Sequence, residues 1–197
     1  MKKIVLASSN QGKLREIQSV LAHLDMQLVP QSEFDICDAD ETGLTFIENA
    51  LIKARHASRI SGLPALADDS GLEVDALKGA PGIYSSRYAG EKATDSDNIQ
   101  KLLSDLKGVE PPQRSARFRC VLVYLRHAED PAPLIAQGYW EGFILEEQRG
   151  QNGFGYDPVF YIPEHQRTAA ELDAAIKNQH SHRARALEQL VKLLGTP

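Results

Sequence analysis

The chain has 197 residues, which is enough for one domain with a substantial buried core, either undivided or in two lobes. Hydrophobic and charged residues make up 42% and 25% of it, as is ordinary for a soluble globular protein. The net charge of −5 argues against a general nucleic-acid-binding protein, although it allows a small cationic pocket for one anionic ligand. Cys37 and Cys120 are too few for a disulfide framework and fit no zinc-ligand spacing.

The amino-terminal segment predicts a cytoplasmic protein. Its apolar run, Ile4 to Ala7, has four residues, whereas a secretory signal needs roughly 7–15. No later stretch approaches the ~20 apolar residues of a transmembrane helix. We therefore expect a soluble protein that has neither nucleic acid nor a membrane as a partner.

The spacing of the apolar residues predicts an α/β fold with a mixed sheet. The elements predicted in the first half are a strand at 4–7, a polar loop at 8–12, a helix at 14–24, a strand at 28–29, a helix from a Thr45–Glu48 capping box to about 60, and a strand that ends in a turn at Ser70-Gly71. The elements predicted next are a strand at 72–76, a loop at 79–82 and a helix from a Thr94–Asp97 capping box. Strands are predicted at 118–125, at 134–136 with a resumption at 139–144, and at 159–162. The last predicted elements are a helix from Thr168 and Glu171 to about 176 and a helix capped by Ser181.

Two adjacent carboxylates, Asp68 and Asp69, interrupt an apolar stretch just before the predicted turn. Because side chains alternate along a strand, the two should point in roughly opposite directions, and at least one should face a cleft or the core. A carboxylate in such a place needs a cation or hydrogen bonds, and Mg²⁺ binds carboxylates together with substrate phosphates. The alternative is an Asp-Ser-Gly turn whose first carboxylate caps its own backbone, which is the commoner use of these residues.

A polar loop joins the first predicted strand to the first predicted helix. This arrangement presents backbone N–H groups and the positive end of a helix to phosphate. The candidate phosphate ligands in it are Ser8, Ser9, Asn10, Gln11, Gly12 and Lys13. Ala7 and Leu14 stand where a Walker A loop needs Gly and Ser or Thr, so the chain is not a P-loop NTPase of the usual kind. The alternative is a polar loop in which Asn10 caps the helix and Lys13 is solvated.

Glu41 precedes the second predicted helix, and Lys53 lies within it. Most Glu and Lys side chains are solvated surface charges, which is one interpretation here. The other is that Glu41 joins Asp69 on a metal ion and that Lys53 contacts a phosphate oxygen.

The segment Gly153-Phe154-Gly155-Tyr156-Asp157-Pro158 combines glycines, which free the backbone, with two aromatic rings. Such a loop can stack on a heterocyclic base and accept a hydrogen bond from the edge of that base. The alternative is a turn that leads into a strand, with both rings in the core.

Three cationic or titratable side chains, Lys177, His182 and Arg183, flank a short loop between the last two predicted helices. His182 and Arg183 can donate to a carbonyl oxygen of a base, and Lys177 can reach either a phosphate or the base. The alternative is that these residues favour the local helix ends, where Lys177 lies near a carboxyl terminus and Ser181 caps the next helix.

Six segments, in this order, are highly specific when taken together. They are Ser8-x-Asn10-x-x-Lys13-x-x-Glu16, Glu41-Thr42-Gly43-x-Thr45-Phe46-x-Glu48-Asn49-Ala50, Ala67-Asp68-Asp69-Ser70-Gly71-Leu72, Gly79-Ala80-Pro81-Gly82, Gly153-Phe154-Gly155-Tyr156-Asp157-Pro158 and Ser181-His182-Arg183. Through them the chain resembles the Ham1/RdgB family of inosine and xanthosine triphosphate pyrophosphatases, in its bacterial form, over essentially its full length. Ser8 departs from the Thr of many members, but both residues present a hydroxyl.

The resemblance implies an elongated α/β fold with two lobes around a long mixed β-sheet, a central nucleotide cleft, and a homodimer. It implies a single nucleoside triphosphate pyrophosphatase domain over residues 1–197. This domain would hydrolyse ITP, dITP, XTP and dXTP with Mg²⁺ to the monophosphate and pyrophosphate, and so keep deaminated purines out of DNA and RNA.

The resemblance also implies roles for individual residues. Asp69 would be the general base and a metal ligand, with Glu41 as the second metal ligand. The triphosphate would be held by Ser8, Ser9, Asn10, Gln11, Gly12, Lys13, Lys53 and Ser70. The base would be held by Phe154, Gly155, Tyr156, Asp157, Lys177, His182 and Arg183.

Two other functions are alternatives to this one. A Maf-like nucleotide pyrophosphatase shares the Leu6-Ala7-Ser8 start, but the next residues here lack the Pro-Arg-Arg that such proteins tend to carry. A nucleotide-binding sensor without turnover has little need for Asp69 and Glu41 together at a scissile phosphate.

Overall fold

The computed structural model describes residues 1–8, 11–21 and 24–195 of the chain. Its strands are β1 (Lys2–Leu6), β2 (Met26–Pro30), β3 (Ala65–Val74), β4 (Ser115–Leu125), β5 (Leu134–Ile144), β6 (Phe160–Ile162) and β7 (Arg167–Thr168). Its α-helices are α1 (Gln11–Leu21), α2 (Phe46–Ser61), α3 (Asp95–Asp105), α4 (Ala174–His180) and α5 (His182–Leu194). The predicted α/β class is confirmed.

The described strands form one seven-stranded sheet in the order β2-β1-β3-β4-β5-β6-β7. Strand β1 pairs in parallel with both β2 and β3. Strand β6 pairs antiparallel with β5 and with β7. The sheet is therefore mixed, as predicted.

The chain divides into two compact units, each with its own core. Unit 1 comprises 1–69, 120–138 and the segment from 185 onward, and unit 2 comprises 70–119 and 139–184. The core of unit 1 is built from apolar side chains of β1, α1, β4 and α5, among them Ile4, Leu6, Ile17, Leu122 and Leu187. The core of unit 2 is aromatic-rich and includes Leu102, Phe118, Trp140, Tyr156 and Phe160.

Helix α2 begins and ends where its local sequence predicts. The Oγ1 of Thr45 accepts a hydrogen bond from the Glu48 N–H at 3.2 Å, and the Glu48 carboxylate accepts from the Thr45 hydroxyl at 2.9 Å. Gly62 ends the helix with a φ of 68°, a left-handed conformation that costs glycine little. This helix supplies Lys53 to the candidate site.

The predicted turn at Ser70-Gly71 is wrong, because β3 continues without interruption to Val74. The residues that follow, Leu72 and Val74, are fully buried in the core of unit 2, and their burial favours continued extension. The alternative of an Asp-Ser-Gly turn with a self-capping Asp68 is wrong for the same reason.

The helix predicted from Thr168 to about 176 is also wrong. The capping box of Thr168 and Glu171 is formed, but it opens only a short 3₁₀ turn. Leu172 is then extended, with a ψ of 147°, and is buried in the core of unit 2. Helix α4 starts separately after it. The predicted interruption of the strand at 134–144 is wrong as well, since β5 is continuous.

Four expectations concern the chain as a whole. Cys37 and Cys120 are both free thiols, as expected. None of the helices in the described part of the chain is both long enough and apolar enough to span a bilayer. The cytoplasmic location and the single functional domain over 1–197 stay predictions.

A complete capping box is formed at the start of α3. The Thr94 Oγ1 accepts from the Asp97 N–H at 3.2 Å, and the Asp97 carboxylate accepts from the Thr94 N–H at 2.8 Å. Thr94→Ala should therefore lower the free energy of unfolding by about 1 kcal/mol in urea denaturation. Thr94→Ser keeps the hydroxyl and should keep most of the stability. Equal losses in the two variants would contradict a capping role.

Candidate functional site

The two adjacent carboxylates of β3 are paired with lysines from two different helices. The Asp68 Oδ2 accepts from the Lys13 Nζ at 2.7 Å, and Lys13 lies in α1. The Asp69 Oδ1 accepts from the Nζ of Lys53, in α2, at 2.8 Å. This arrangement agrees with the predicted divergence of neighbouring side chains along a strand. Asp68 and Asp69 are both buried, with exposures of 2% and 9%. A buried carboxylate is costly unless it is paired, and each of the two has a lysine as its cationic partner.

Lys53 also joins Asp69 to Glu41. Its Nζ donates to the Glu41 Oε1 at 2.7 Å, so two carboxylates converge on one ammonium group. The side chains of Lys53 and Glu41 are mostly buried, with exposures of 16% and 28%. The alternative of two solvated surface charges is therefore wrong. We call Lys13, Glu41, Lys53, Asp68 and Asp69 the lysine–carboxylate cluster.

Burial and neighbouring charges shift the pKa values within this cluster. Burial raises the pKa of the Asp69 carboxyl above its ordinary value, because the charged form is desolvated; the Lys53 charge opposes this shift, and Glu41 and Asp68 add to it. Burial alone would lower the pKa of Lys53, but the charges of Asp69 and Asp68 outweigh it and the pKa is raised. Lys53 is thus a firmly protonated cation, and a further positive charge beside Asp69 would stabilise its ionised form.

The donor chemistry of the cluster suits Mg²⁺. Glu41 and Asp69 are carboxylates already close to one common cation. Mg²⁺ is usually bound by one or two carboxylates, with waters and substrate phosphates completing its coordination. The described residues contain no group of three or more His, Cys, Asp or Glu side chains suited to hold a metal ion without a substrate. Mg²⁺ binding by Glu41 and Asp69 stays a prediction.

The predicted phosphate loop is described in part. Ser8 follows β1, and its N–H donates to the Leu6 carbonyl at 2.8 Å. Gln11, Gly12 and Lys13 form the first turn of α1, which places Lys13 at the positive end of that helix. Ser9 and Asn10 lie outside the described residues, so phosphate binding by this loop and a cap by Asn10 both stay predictions. The alternative of a solvated Lys13 is wrong, because its Nζ donates to Asp68 and its side chain is mostly buried.

The segment 153–158, here called the Phe154 loop, separates its two aromatic rings. Tyr156 is buried in the core of unit 2, and its hydroxyl donates to the Ser85 carbonyl at 2.8 Å. Phe154 is 63% exposed. The alternative with both rings in the core holds for Tyr156 only, and the Phe154 ring is left with an accessible face.

Asp157 and Lys177 complete the surroundings of the exposed ring. The Asp157 Oδ2 accepts from the Phe154 N–H at 2.9 Å and from the Lys177 Nζ. The same Nζ lies 5.1 Å from the centre of the Phe154 ring, within the range of a cation–π contact. A Cβ on Gly153 would lie 2.1 Å from the Asp157 Oδ2, so only glycine fits there. These contacts place a cation, a carboxylate and a flat ring together on unit 2.

His182 and Arg183 begin α5, and both are buried. The His182 ring stacks on Phe118, with centroids 5.0 Å apart and an interplanar angle of 20°. Ser181 accepts from the Ala184 N–H at 3.3 Å, which agrees with its predicted capping role. Ser70 lies within β3 and is partly buried. The roles implied for these residues stay predictions.

Three residues that contact the predicted site residues were not expected from the sequence. Ser85 accepts from Tyr156, Phe118 stacks on His182, and the Asp95 carboxylate accepts from the Gly155 N–H at 2.7 Å. These partners are tens of residues distant in the chain. Local sequence patterns carry no information on such contacts.

The chain is similar to known proteins over nearly its whole length. A Vibrio parahaemolyticus protein named dITP/XTP pyrophosphatase is 59% identical over 195 residues, which are 99% of this chain and 98% of that protein. The solved structure of a HAM1 protein from Coxiella burnetii shares 58% identity and a TM-score of 0.95, covering 98% of each chain. That of the Staphylococcus aureus Ham1 protein shares 42% identity and a TM-score of 0.90, also over 98% of each chain. The profile described as the Ham1 family matches residues 4–193, and the chain therefore belongs to the Ham1 family.

Proposed function

We propose that this chain hydrolyses the non-canonical purine nucleoside triphosphates ITP, dITP, XTP and dXTP to the monophosphate and pyrophosphate, with Mg²⁺. The observation that carries the proposal is the convergence of Glu41 and Asp69 on Lys53, next to the Asp68–Lys13 pair. Relatives that are 57% to 59% identical are named dITP/XTP pyrophosphatase, and the predicted enzyme class, a hydrolase acting on nucleoside triphosphates, is confirmed.

The lysine–carboxylate cluster supplies what attack on a triphosphate requires. The substrate is strongly anionic, so its charge must be neutralised before a nucleophile can approach. Lys13 and Lys53 provide two cations for the phosphate oxygens. Glu41 and Asp69 would hold Mg²⁺, which supplies further neutralisation of the phosphate charge. Asp69 would also orient the attacking water and accept its proton on the carboxylate.

The Phe154 loop and the start of α5 supply groups suited to a purine base. The exposed ring of Phe154 offers a face for stacking, and Asp157 offers an acceptor. Arg183 and His182 offer donors for the 6-oxo group of hypoxanthine or xanthine. Adenine presents a 6-amino donor at that position, so a site built from donors disfavours it. These groups would therefore favour deaminated purines over adenine.

One substrate panel tests the proposal. Pyrophosphate release should be measured with ITP, dITP, XTP, GTP, ATP, UTP and dTTP, each with and without Mg²⁺. We expect Mg²⁺-dependent release from ITP, dITP and XTP, with much slower release from ATP. Binding without release would favour the nucleotide sensor, and a preference for UTP and dTTP would favour the Maf-like function.

We also propose that the enzyme acts as a cytoplasmic homodimer that clears deaminated purines from the nucleotide pool. Removal of dITP and dXTP before polymerisation would keep these bases out of DNA, and removal of ITP and XTP would keep them out of RNA. Light scattering coupled to gel filtration tests the dimer, for which the expected mass is twice that of one chain.

Lys13 lies at the amino-terminal end of α1, where a cation can contact the triphosphate. Lys13→Ala removes one cation from the triphosphate, so we expect the KM for ITP to rise about 10- to 100-fold, as for loss of one charged hydrogen bond. Binding of inosine, which has no phosphate, should change little. The exposed Lys107 provides the control, since Lys107→Ala should leave both ligands unaffected. Equal losses for ITP and inosine in Lys13→Ala would show that Lys13 serves the fold.

A further inference from the structure

Both backbone N–H groups next to the Phe154 side chain are held by carboxylates. The N–H of Phe154 itself donates to the Asp157 Oδ2 at 2.9 Å. The N–H of the next residue, Gly155, donates to the Asp95 Oδ2 at 2.7 Å. The backbone that carries the exposed ring is therefore fixed on each side, once from within the loop and once from outside it.

The outer contact comes from another element, helix α3. Asp95 is the first residue of α3 and lies 60 residues before Gly155 in the chain. The capping box of Thr94 and Asp97 fixes this first turn, and the buried side chain of Leu102 packs the helix into the core of unit 2. A carboxylate in the first turn is also favoured by the helix dipole. The Asp95 carboxylate is thus positioned to accept a hydrogen bond from the Gly155 N–H.

The Phe154 ring needs such support because packing does not provide it. The ring is 63% exposed, and the following Gly155 has a φ of +60°, in the region where glycine is least restricted. Without an external contact, a glycine beside an exposed ring leaves the direction of that ring poorly defined. The buried hydroxyl of Tyr156, bonded to Ser85, fixes the other side of Gly155. The hydrogen bond from the Gly155 N–H is therefore the contact through which Asp95 can fix the direction of the Phe154 ring.

We propose that Asp95 is a positioning residue for base binding, which fixes the Phe154 ring in the orientation that stacks on the purine. This inference rests on the proposed function and deepens it. Asp95 acts through the Gly155 N–H and makes no contact with the substrate. Stacking on an aromatic ring does not distinguish one base from another. Loss of Asp95 should therefore weaken binding of ITP and XTP alike, without changing the preference between them.

The test compares three variants in the full-length protein. Asp95→Ala should raise the KM for ITP and for XTP about 2- to 10-fold, the value of one hydrogen bond, with kcat little changed. Asp95→Asn keeps an acceptor oxygen without the charge and should restore most of the wild-type KM. Asp105→Ala removes a carboxylate at the opposite end of the same helix, where it is paired with Lys101, so it should leave KM unchanged.

Three outcomes would overturn the inference. They are an unchanged KM in Asp95→Ala, a failure of Asp95→Asn to restore it, and an equal rise of KM in Asp105→Ala. A second measurement separates the inference from the proposed function. Amide hydrogen exchange at Gly155 should be faster in Asp95→Ala than in the wild type, and an unchanged rate would exclude the contact. If the wild type released no pyrophosphate from ITP, the proposed function would fail whatever the exchange rates were.

Discussion

Asp69→Asn is expected to lower the maximal rate of ITP hydrolysis by about 10²- to 10⁴-fold, the usual contribution of a positioned general base. The amide keeps an oxygen that can accept from Lys53, whose Nζ lies 2.8 Å from the Asp69 carboxylate. Geometry should therefore be retained, while the negative charge and the ability to take a proton are lost. The measurement is kcat for pyrophosphate release at saturating ITP and Mg²⁺.

The Asp69→Asn variant should stay folded, because the substitution preserves volume and removes a charge whose burial is unfavourable. Its melting temperature should be close to that of the wild type. Asp75→Asn is the matched control, since Asp75 is a carboxylate of unit 2 paired with Arg117 and should not affect turnover. Near-normal turnover in a folded Asp69→Asn protein would contradict the assignment of the general base.

Arg183→Ala is the second large effect, and it should act on base selection. Arg183 is buried at the start of α5 and carries a guanidinium that can donate to the 6-oxo group of hypoxanthine. Its loss should reduce kcat/KM for ITP by about 1–3 kcal/mol in transition-state free energy, as for a charged hydrogen bond. ATP has a 6-amino group and is not expected to gain from this donor, so its kcat/KM should fall much less.

The quantity that decides the role of Arg183 is the ratio of kcat/KM for ITP to that for ATP. We expect this ratio to fall in Arg183→Ala and to remain at the wild-type value in Arg185→Ala, which removes an exposed arginine from the same helix. Circular dichroism and the melting temperature check that Arg183→Ala is folded. An unchanged ratio in the folded variant would mean that Arg183 serves the phosphates or the fold, and that the Phe154 loop reads the base.

The comparison of these two variants separates chemistry from recognition. Asp69 belongs to unit 1, with the other members of the lysine–carboxylate cluster, and Arg183 belongs to unit 2, with the Phe154 loop. Asp69→Asn should lower turnover of every substrate by a similar factor. Arg183→Ala should lower the ratio of kcat/KM for ITP to that for ATP.

Local features were predictable because they depend on residues a few positions apart. The predicted capping box of Thr94 and Asp97 forms completely within three residues. At Thr45 the hydroxyl caps the helix as predicted, but the Glu48 carboxylate accepts from the Leu44 N–H instead of the Thr45 N–H. The predicted box at Thr168 forms too, but no α-helix follows directly. Its hydrogen bonds are local, whereas the continuation of the helix was decided by the burial of Leu172.

The sequence by itself determined the α/β class, the capped helix starts, the family and the residue types of the site, because these depend on local spacing and on ordered motifs. Only the tertiary structure decided that β3 continues past Ser70-Gly71, that Tyr156 is buried while Phe154 is exposed, and that Lys53 lies between two carboxylates. The physical reason is that the deciding contacts join residues distant in the chain: 16 positions separate Lys53 from Asp69, and 60 separate Asp95 from Gly155. Burial and charge pairing at such separations depend on which elements pack together, and no local pattern of residues encodes that.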